Sequence, residues 1–172
     1  MATKPTVGFV GLGMMGGQMA KRLVEQGYRV TGYDVDAERA GRAEKAGVGR
    51  AKSPAAAAGS SEFVLSSLPD PAALRRAYLG PDGIVSAIRS GTTLIDLSTV
   101  DPDTWREVAA AARAKGADCL DAPVSGGPAD AGSGKLVFLV GGEAAVLERS
   151  RPLLLTLGTE IHHVGPLGSG QI

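Results

Sequence analysis

Thr6-Val7-Gly8-Phe9-Val10-Gly11-Leu12-Gly13-Met14-Met15-Gly16 is the stretch from which the rest of the chain can be read. Thr6 to Val10 is a short apolar run with the character of a buried strand, and Met14 to Gln26 reads as a helix stopped by Gly27. Between them lies G-x-G-x-x-G. In such a turn the first glycine permits the tight bend, the second lets backbone approach a pyrophosphate, and the third allows helix and strand to pack closely. The helix start adds free amides and the positive end of its dipole. A glycine loop needing only backbone freedom would show the same pattern, so a second feature is required. Asp34 supplies it: it ends a second strand, Tyr28 to Tyr33, 21 residues after Gly13, where a carboxylate accepts from the hydroxyls of an adenosine ribose. Gly11, Leu12, Gly13, Met14, Met15, Gly16 and Asp34 are therefore candidate dinucleotide-binding residues. The Asp34 charge repels a 2′-phosphate and favours NAD over NADP, against the two cations Arg39 and Arg42 on the next helix. Similar turns bind methylated nucleosides such as S-adenosylmethionine, and only the rest of the chain separates the two ligands.

Outward from this unit the alternation continues. Asp36 to Ala46 reads as a helix ended by Gly47, and strands are predicted at Phe63 to Leu65, Thr92 to Leu97, Asp118 to Leu120 and Leu136 to Val140. Three helix starts share one signature, a capping side chain followed by proline: Ser53-Pro54, Asp70-Pro71 and Asp101-Pro102. Helices ending near Gly27, Gly47, Gly59 and Gly116 fit glycine's ease in the left-handed conformation past a helix end. Strands alternating with helices predict an α/β domain, a doubly wound, mostly parallel, Rossmann-like sheet with right-handed crossovers. The Ala55 to Ala58 run fits a small-residue helix packed tightly on that sheet. The chain's 172 residues suit one main core. Lys+Arg and Asp+Glu balance at 18 each, without the basic stripe that a phosphate backbone requires, so nucleic acid is not an expected partner. No apolar run approaches the roughly 20 residues of a membrane span. A single cysteine, Cys119, cannot form an internal disulfide, and no secretory leader is read at the start, which points to the cytoplasm. His162 and His163 are adjacent, with no Cys or carboxylate cluster at ligand spacing, and are assigned to a late strand, not to a metal.

Three further segments carry a resemblance to the β-hydroxyacid dehydrogenase family, of the 3-hydroxyisobutyrate dehydrogenase type: Ser67-Leu68-Pro69-Asp70, Asp96-Leu97-Ser98-Thr99-Val100-Asp101-Pro102, and Asp121 to Gly134 with Ser125-Gly126-Gly127 inside it. The likeness runs from Val7 to the last residue and implies particular roles. Leu68 and Pro69 would pass beside the adenosine end of the cofactor, and Thr99 would lie near the nicotinamide ribose. Ser125, Gly126 and Gly127 would bind the substrate carboxylate, by the serine hydroxyl and successive unshielded amides. The family's reaction is reversible hydride transfer between nicotinamide and a short β-hydroxy acid, with a lysine handling the hydroxyl proton and no metal.

Gly165 to Ile172 resembles the start of the family's G-x-x-G-x-G-x-x-x-K segment, and the expected lysine falls two positions beyond Ile172. No residue in the chain is therefore assigned the proton transfer, Lys115 and Lys135 included. The expected organisation is a dinucleotide-binding domain over residues 1–165, with 166–172 beginning a segment that leads to an all-helical domain outside this chain. That domain would carry the contacts of a homodimer or homotetramer, and without it the chain would turn over no hydroxy acid. The substrate stays open among 3-hydroxyisobutyrate, tartronate semialdehyde and related short acids. Two other readings stay beside this one, a non-catalytic dinucleotide-binding module and an imine reductase-like enzyme. Trp105 is read as packing.

Overall fold

A computed structural model describes residues 3–172. Its first half is a run of short strands and helices: β1 Val7–Val10, α1 Met14–Glu25, β2 Val30–Tyr33, α2 Ala37–Lys45, β3 Gly49–Arg50, α3 Pro54–Ala58, β4 Phe63–Ser66, α4 Pro71–Leu79 and α5 Ile84–Ala87. The second half adds β5 Thr93–Asp96, α6 Pro102–Arg113, β6 Asp118–Asp121, β7 Val124–Ser125, α7 Pro128–Ser133, β8 Leu136–Gly141, α8 Ala144–Leu157 and β9 Gly158–Gly165, then a 3-10 turn at Ser169–Gln171. All nine strands join one sheet. Its parallel part has the order β3-β2-β1-β4-β5-β6, the doubly wound arrangement that the alternation predicts. Beyond β6 the sheet turns mixed: β8 runs antiparallel to β6 and β7, and β9 pairs parallel to β8.

Adjacent residues of each central strand point to opposite faces, and both faces are covered. Phe9, Leu65, Ile95 and Leu120 enter one core with Met19, Leu23, Phe138 and Leu154. Val10, Val64, Leu94 and Cys119 enter the other with Leu74, Tyr78 and Trp105. Truncating one of these fully buried leucines to alanine would cost about 2 to 5 kcal/mol. Trp105 is wholly buried against the edge of Tyr78, with ring centroids 5.5 Å apart at 78°, which settles it as packing. Cys119 is buried in mid-sheet, and burial pushes its thiol up to about 12. The alanine helix α3 lies so close to β1 that a Cβ on Gly8 would fall 2.4 Å from the Ala57 carbonyl oxygen.

All three predicted proline starts are capped as expected: Ser53 accepts from the Ala56 amide at 3.0 Å, Asp70 from Ala73 at 2.8 Å and Asp101 from Thr104 at 2.8 Å. Gly27, Gly47 and Gly116 take positive φ past their helices. Gly59 does not. It remains right-handed at φ −61°, because α3 unwinds through an ordinary helical turn in which the Gly59 amide still reaches the Ala55 carbonyl. The short elements β3, α5, β7 and α7 have no counterpart in the sequence reading, and neither does α8. Pro152 sits inside α8; the helix tolerates it because the carbonyl it leaves without a partner belongs to exposed Glu148. His162 and His163 fall on β9 as anticipated. No helix among the described residues is long and apolar enough to cross a membrane.

Candidate functional site

At the carboxyl ends of β1, β2 and β4 the chain leaves a cleft of about 550 Å3, the position a doubly wound sheet reserves for ligands. Gly11, Gly13, Met14, Met15 and Gly16 form its floor, Asp34, Val35 and Arg39 one wall, and Leu68, Pro69, Ala73 and Arg76 the other.

The three glycines of the turn are not equivalent. Gly11 has φ +95°, and a Cβ there would lie 2.1 Å from the Ser67 carbonyl oxygen; one on Gly16 would lie 1.9 Å from the Gly11 carbonyl oxygen. The fold itself demands both. Gly13 is different: its backbone is extended, and an added Cβ would meet nothing within 4 Å. The space kept clear above Gly13 lies in the cleft, where a group from outside the chain can approach the backbone. Nor does any side chain cap the N-terminus of α1, unlike α3, α4 and α6, and no acidic residue occupies its first turn. An uncapped 12-residue helix with an open glycine at its N-cap fits a pyrophosphate. A dinucleotide's phosphates would be held there by the amides at the start of α1.

Asp34 is fixed from two sides. One carboxylate oxygen accepts from the Leu12 amide at 2.7 Å, the other from the Asp36 amide at 2.8 Å, which leaves each oxygen a lone pair directed toward further donors. Leu12 is buried and reaches the site only through this backbone bond, so of the glycine-turn residues it alone is absent from the cleft surface. Arg39 lines the cleft, while Arg42 is paired with Glu38 at 3.3 Å on the exposed face of α2. Arg76 was not anticipated. Its signal was the spacing of Ala73, Arg76 and Ala77, which share one face of the helix that follows Leu68 and Pro69.

Behind the cleft lies a buried polar network. Ser98 accepts from the Leu68 amide at 2.8 Å and donates to Asp96 at 2.7 Å; Ser66 donates to the same Asp96 oxygen at 2.8 Å and bonds the Tyr78 hydroxyl at 2.7 Å. Burial pushes Asp96 up to about 6, partly offset by these hydrogen bonds. The second Asp96 oxygen and the Trp105 indole nitrogen have no partner among the described residues. Asp121, in register with Asp96 on the next strand, is equally buried and accepts from the amides of Gly168 and Gly170 at 2.7 and 2.8 Å.

Thr99 is exposed on the loop after β5 and does not line the cleft. Ser125 and Gly126 are exposed on the turn that ends β7, and Gly126 has φ +131°. The expectation of successive free amides needs a correction at Gly127, whose amide donates to Asp130 at 2.9 Å. No cluster of three or more His, Cys, Asp or Glu able to hold a metal occurs among the described residues.

Residues 6–165 match the family described as the NAD binding domain of 6-phosphogluconate dehydrogenase. The chain is 42% identical over 166 residues to a 3-hydroxyisobutyrate dehydrogenase of Pseudomonas aeruginosa, covering 96% of this chain and 56% of that protein. The chain belongs to the NAD-binding domains of the β-hydroxyacid dehydrogenase family. An NAD-dependent L-serine dehydrogenase of the same bacterium is 40% identical over 96% of this chain and 56% of its own length. Among solved structures, the 3-hydroxyisobutyrate dehydrogenase of Mycobacterium tuberculosis, described with L-serine, superposes with a TM-score of 0.92 at 38% identity, over 97% of this chain and 56% of that one. The NAD-binding domain thus spans about half the length of the relatives it matches. Its Rossmann-like sheet with added C-terminal strands is the architecture of these neighbours.

Proposed function

We propose that this domain serves an NAD-dependent oxidoreductase acting on the hydroxyl group of a short β-hydroxy acid, such as 3-hydroxyisobutyrate. The space left open above Gly13, at the uncapped start of α1, carries the reading. Gly11 to Gly16 hold the pyrophosphate, and Asp34, oriented by the Leu12 and Asp36 amides, accepts from the adenosine ribose. Leu68 and Pro69 flank the adenosine, and Thr99 meets the nicotinamide ribose. When bound, the nicotinamide accepts or gives the hydride. The chain's own residues bind and orient: the Ser125 hydroxyl and the Gly126 amide anchor the carboxylate, with the Gly127 amide already spent on Asp130. Anchoring brings the reacting carbon to roughly 3 to 3.5 Å from the nicotinamide carbon. The hydroxyl proton is handled by a lysine two positions beyond Ile172 in the longer enzyme, which dimerises or forms tetramers through a helical domain and works in the cytoplasm. NAD is favoured over NADP because the Asp34 carboxylate repels a 2′-phosphate, while of the two cations on α2 only Arg39 lines the cleft and Arg42 is paired with Glu38.

Calorimetric titration of the chain with NADH and NADPH tests this. Tighter NADH binding is the expected result. Tighter NADPH binding would overturn the assignment to Asp34 in favour of Arg39, and binding of neither would overturn the dinucleotide site.

A further inference from the structure

The segment Gly165 to Ile172 does not trail away from the sheet. Asp121, wholly buried at the end of β6, draws it in with both oxygens, one on the Gly168 amide and one on the Gly170 amide. Glycine is needed at both positions. Gly168 has φ +95°, and a Cβ on Gly170 would lie 2.4 Å from the Leu139 carbonyl oxygen and 2.8 Å from Asp121 itself. The 3-10 turn that results presents the side chain of Gln171 to the loop after β5. There the Gln171 amide group bonds twice: its nitrogen donates to the Ser98 carbonyl at 2.8 Å, and its oxygen accepts from the Val100 amide at 3.1 Å. These two backbone groups flank Thr99. Ser98 is in turn bonded through its hydroxyl to the Leu68 amide on the cleft wall.

We infer that Gln171, seated by Asp121, is a positioning residue for the nicotinamide end of the cofactor, holding from behind the backbone that carries Thr99. This rests on the role given to Thr99 above. A side-chain amide that satisfies a donor and an acceptor on either side of one residue fixes that residue's backbone in both directions, as a third strand would. The adenosine end depends on Gly11 to Gly16 and Asp34, which Gln171 does not touch, and on Leu68, which is held by the Ser98 hydroxyl that Asp96 fixes and not by the Ser98 carbonyl that Gln171 binds. The consequence is a selective loss: removing the Gln171 amide group should weaken a ligand that reaches the Thr99 loop and spare one that stops short of it.

The test is calorimetric titration of the chain and its variants with NADH and with ADP, which stops at the pyrophosphate and carries neither the nicotinamide ribose nor the ring. Gln171→Ala and Gln171→Met are expected to weaken NADH about fivefold or more while moving ADP less than twofold. Methionine keeps the length and packing of glutamine without its hydrogen bonds, so wild-type NADH affinity in Gln171→Met would overturn the inference. So would NADH and ADP weakening in equal proportion in Gln171→Ala, or no change in either. Asp121→Asn, which places a donor opposite a glycine amide, should reproduce the selective loss; if it fails to fold, the Gln171 variants decide. A wild-type chain that binds NADH no more tightly than ADP overturns the inference alone, whereas one that binds neither overturns the dinucleotide reading beneath it.

Discussion

Replacing Asp96 by asparagine removes a charge that the fold keeps without a counter-ion. Asp96 is fully buried, its three hydrogen bonds all fall on one oxygen, and the neighbouring Asp121 adds a like charge in register. Burial raises its pKa from 3.8 to about 6. A carboxyl whose folded pKa lies above its unfolded one binds its proton more tightly in the folded state. Its contribution to stability is therefore full below pH 4 and is lost as pH rises through 6. At about 1.4 kcal/mol for each pH step, the gap is worth on the order of 3 kcal/mol by pH 7. Asparagine does not titrate. The variant carries a fixed cost, since its Nδ2 replaces an oxygen that has no partner and gains no acceptor. Relative to wild type, however, it should gain about 2.5 kcal/mol between pH 4 and pH 7, which is roughly 5 to 10 °C in Tm for a domain of this size. Thermal and urea unfolding of both proteins at pH 4, 5.5 and 7 reads the difference, in which the remaining carboxylates largely cancel. A difference that does not change with pH would refute the reasoning.

The glycine turn separates fold from ligand. Gly16→Ala, whose Cβ would strike the Gly11 carbonyl oxygen at 1.9 Å, should lower both Tm and NADH affinity, whereas Gly13→Ala, with nothing within 4 Å, should leave Tm within about 2 °C and still weaken NADH more than tenfold. Calorimetry and thermal unfolding check both. Asp34→Ser, which removes the charge and leaves one oxygen where two serve the Leu12 and Asp36 amides, should weaken NADH and narrow or reverse its advantage over NADPH in the same titrations. Asp70→Ala should cost about 1 kcal/mol in urea unfolding, because only the Asp70 side chain satisfies the Ala73 amide at the start of α4.

The parts of this molecule legible in the sequence are those written locally. The strand, glycine turn, helix and Asp34 of the first unit, and the capped proline starts at Pro54, Pro71 and Pro102, each depend on residues within a turn or two of one another. What escaped depends on pairings between distant segments. β3 and β7 are two residues long and exist only because β2 and β8 lie alongside them. α8 was masked by Pro152, whose cost is met by solvent at Glu148. Gly59 was read by a rule about helix ends that a five-residue helix need not obey. In the site, Asp34 and the glycines were found from spacing, but Arg76 needed the facing wall. The buried carboxylates Asp96 and Asp121 each sit in a motif quoted for other residues, and their roles depend on partners 30 to 49 positions away. The Gly127 amide was counted as free because no sequence pattern shows that Asp130 folds back onto it.

Cys119 gives the domain a clock. With its thiol at about 12, roughly one folded molecule in ten thousand carries a thiolate at pH 8, against about one in four once the thiol returns to its ordinary value near 8.5. The sulfur lies in the core between the sheet and α6, grouped with Trp105, Val108 and Ala112, so a reagent reaches it only when that core opens. Alkylation of this one atom therefore records openings of this core, molecule by molecule, and the mass added by a timed pulse of reagent would date each opening without a label having to be engineered.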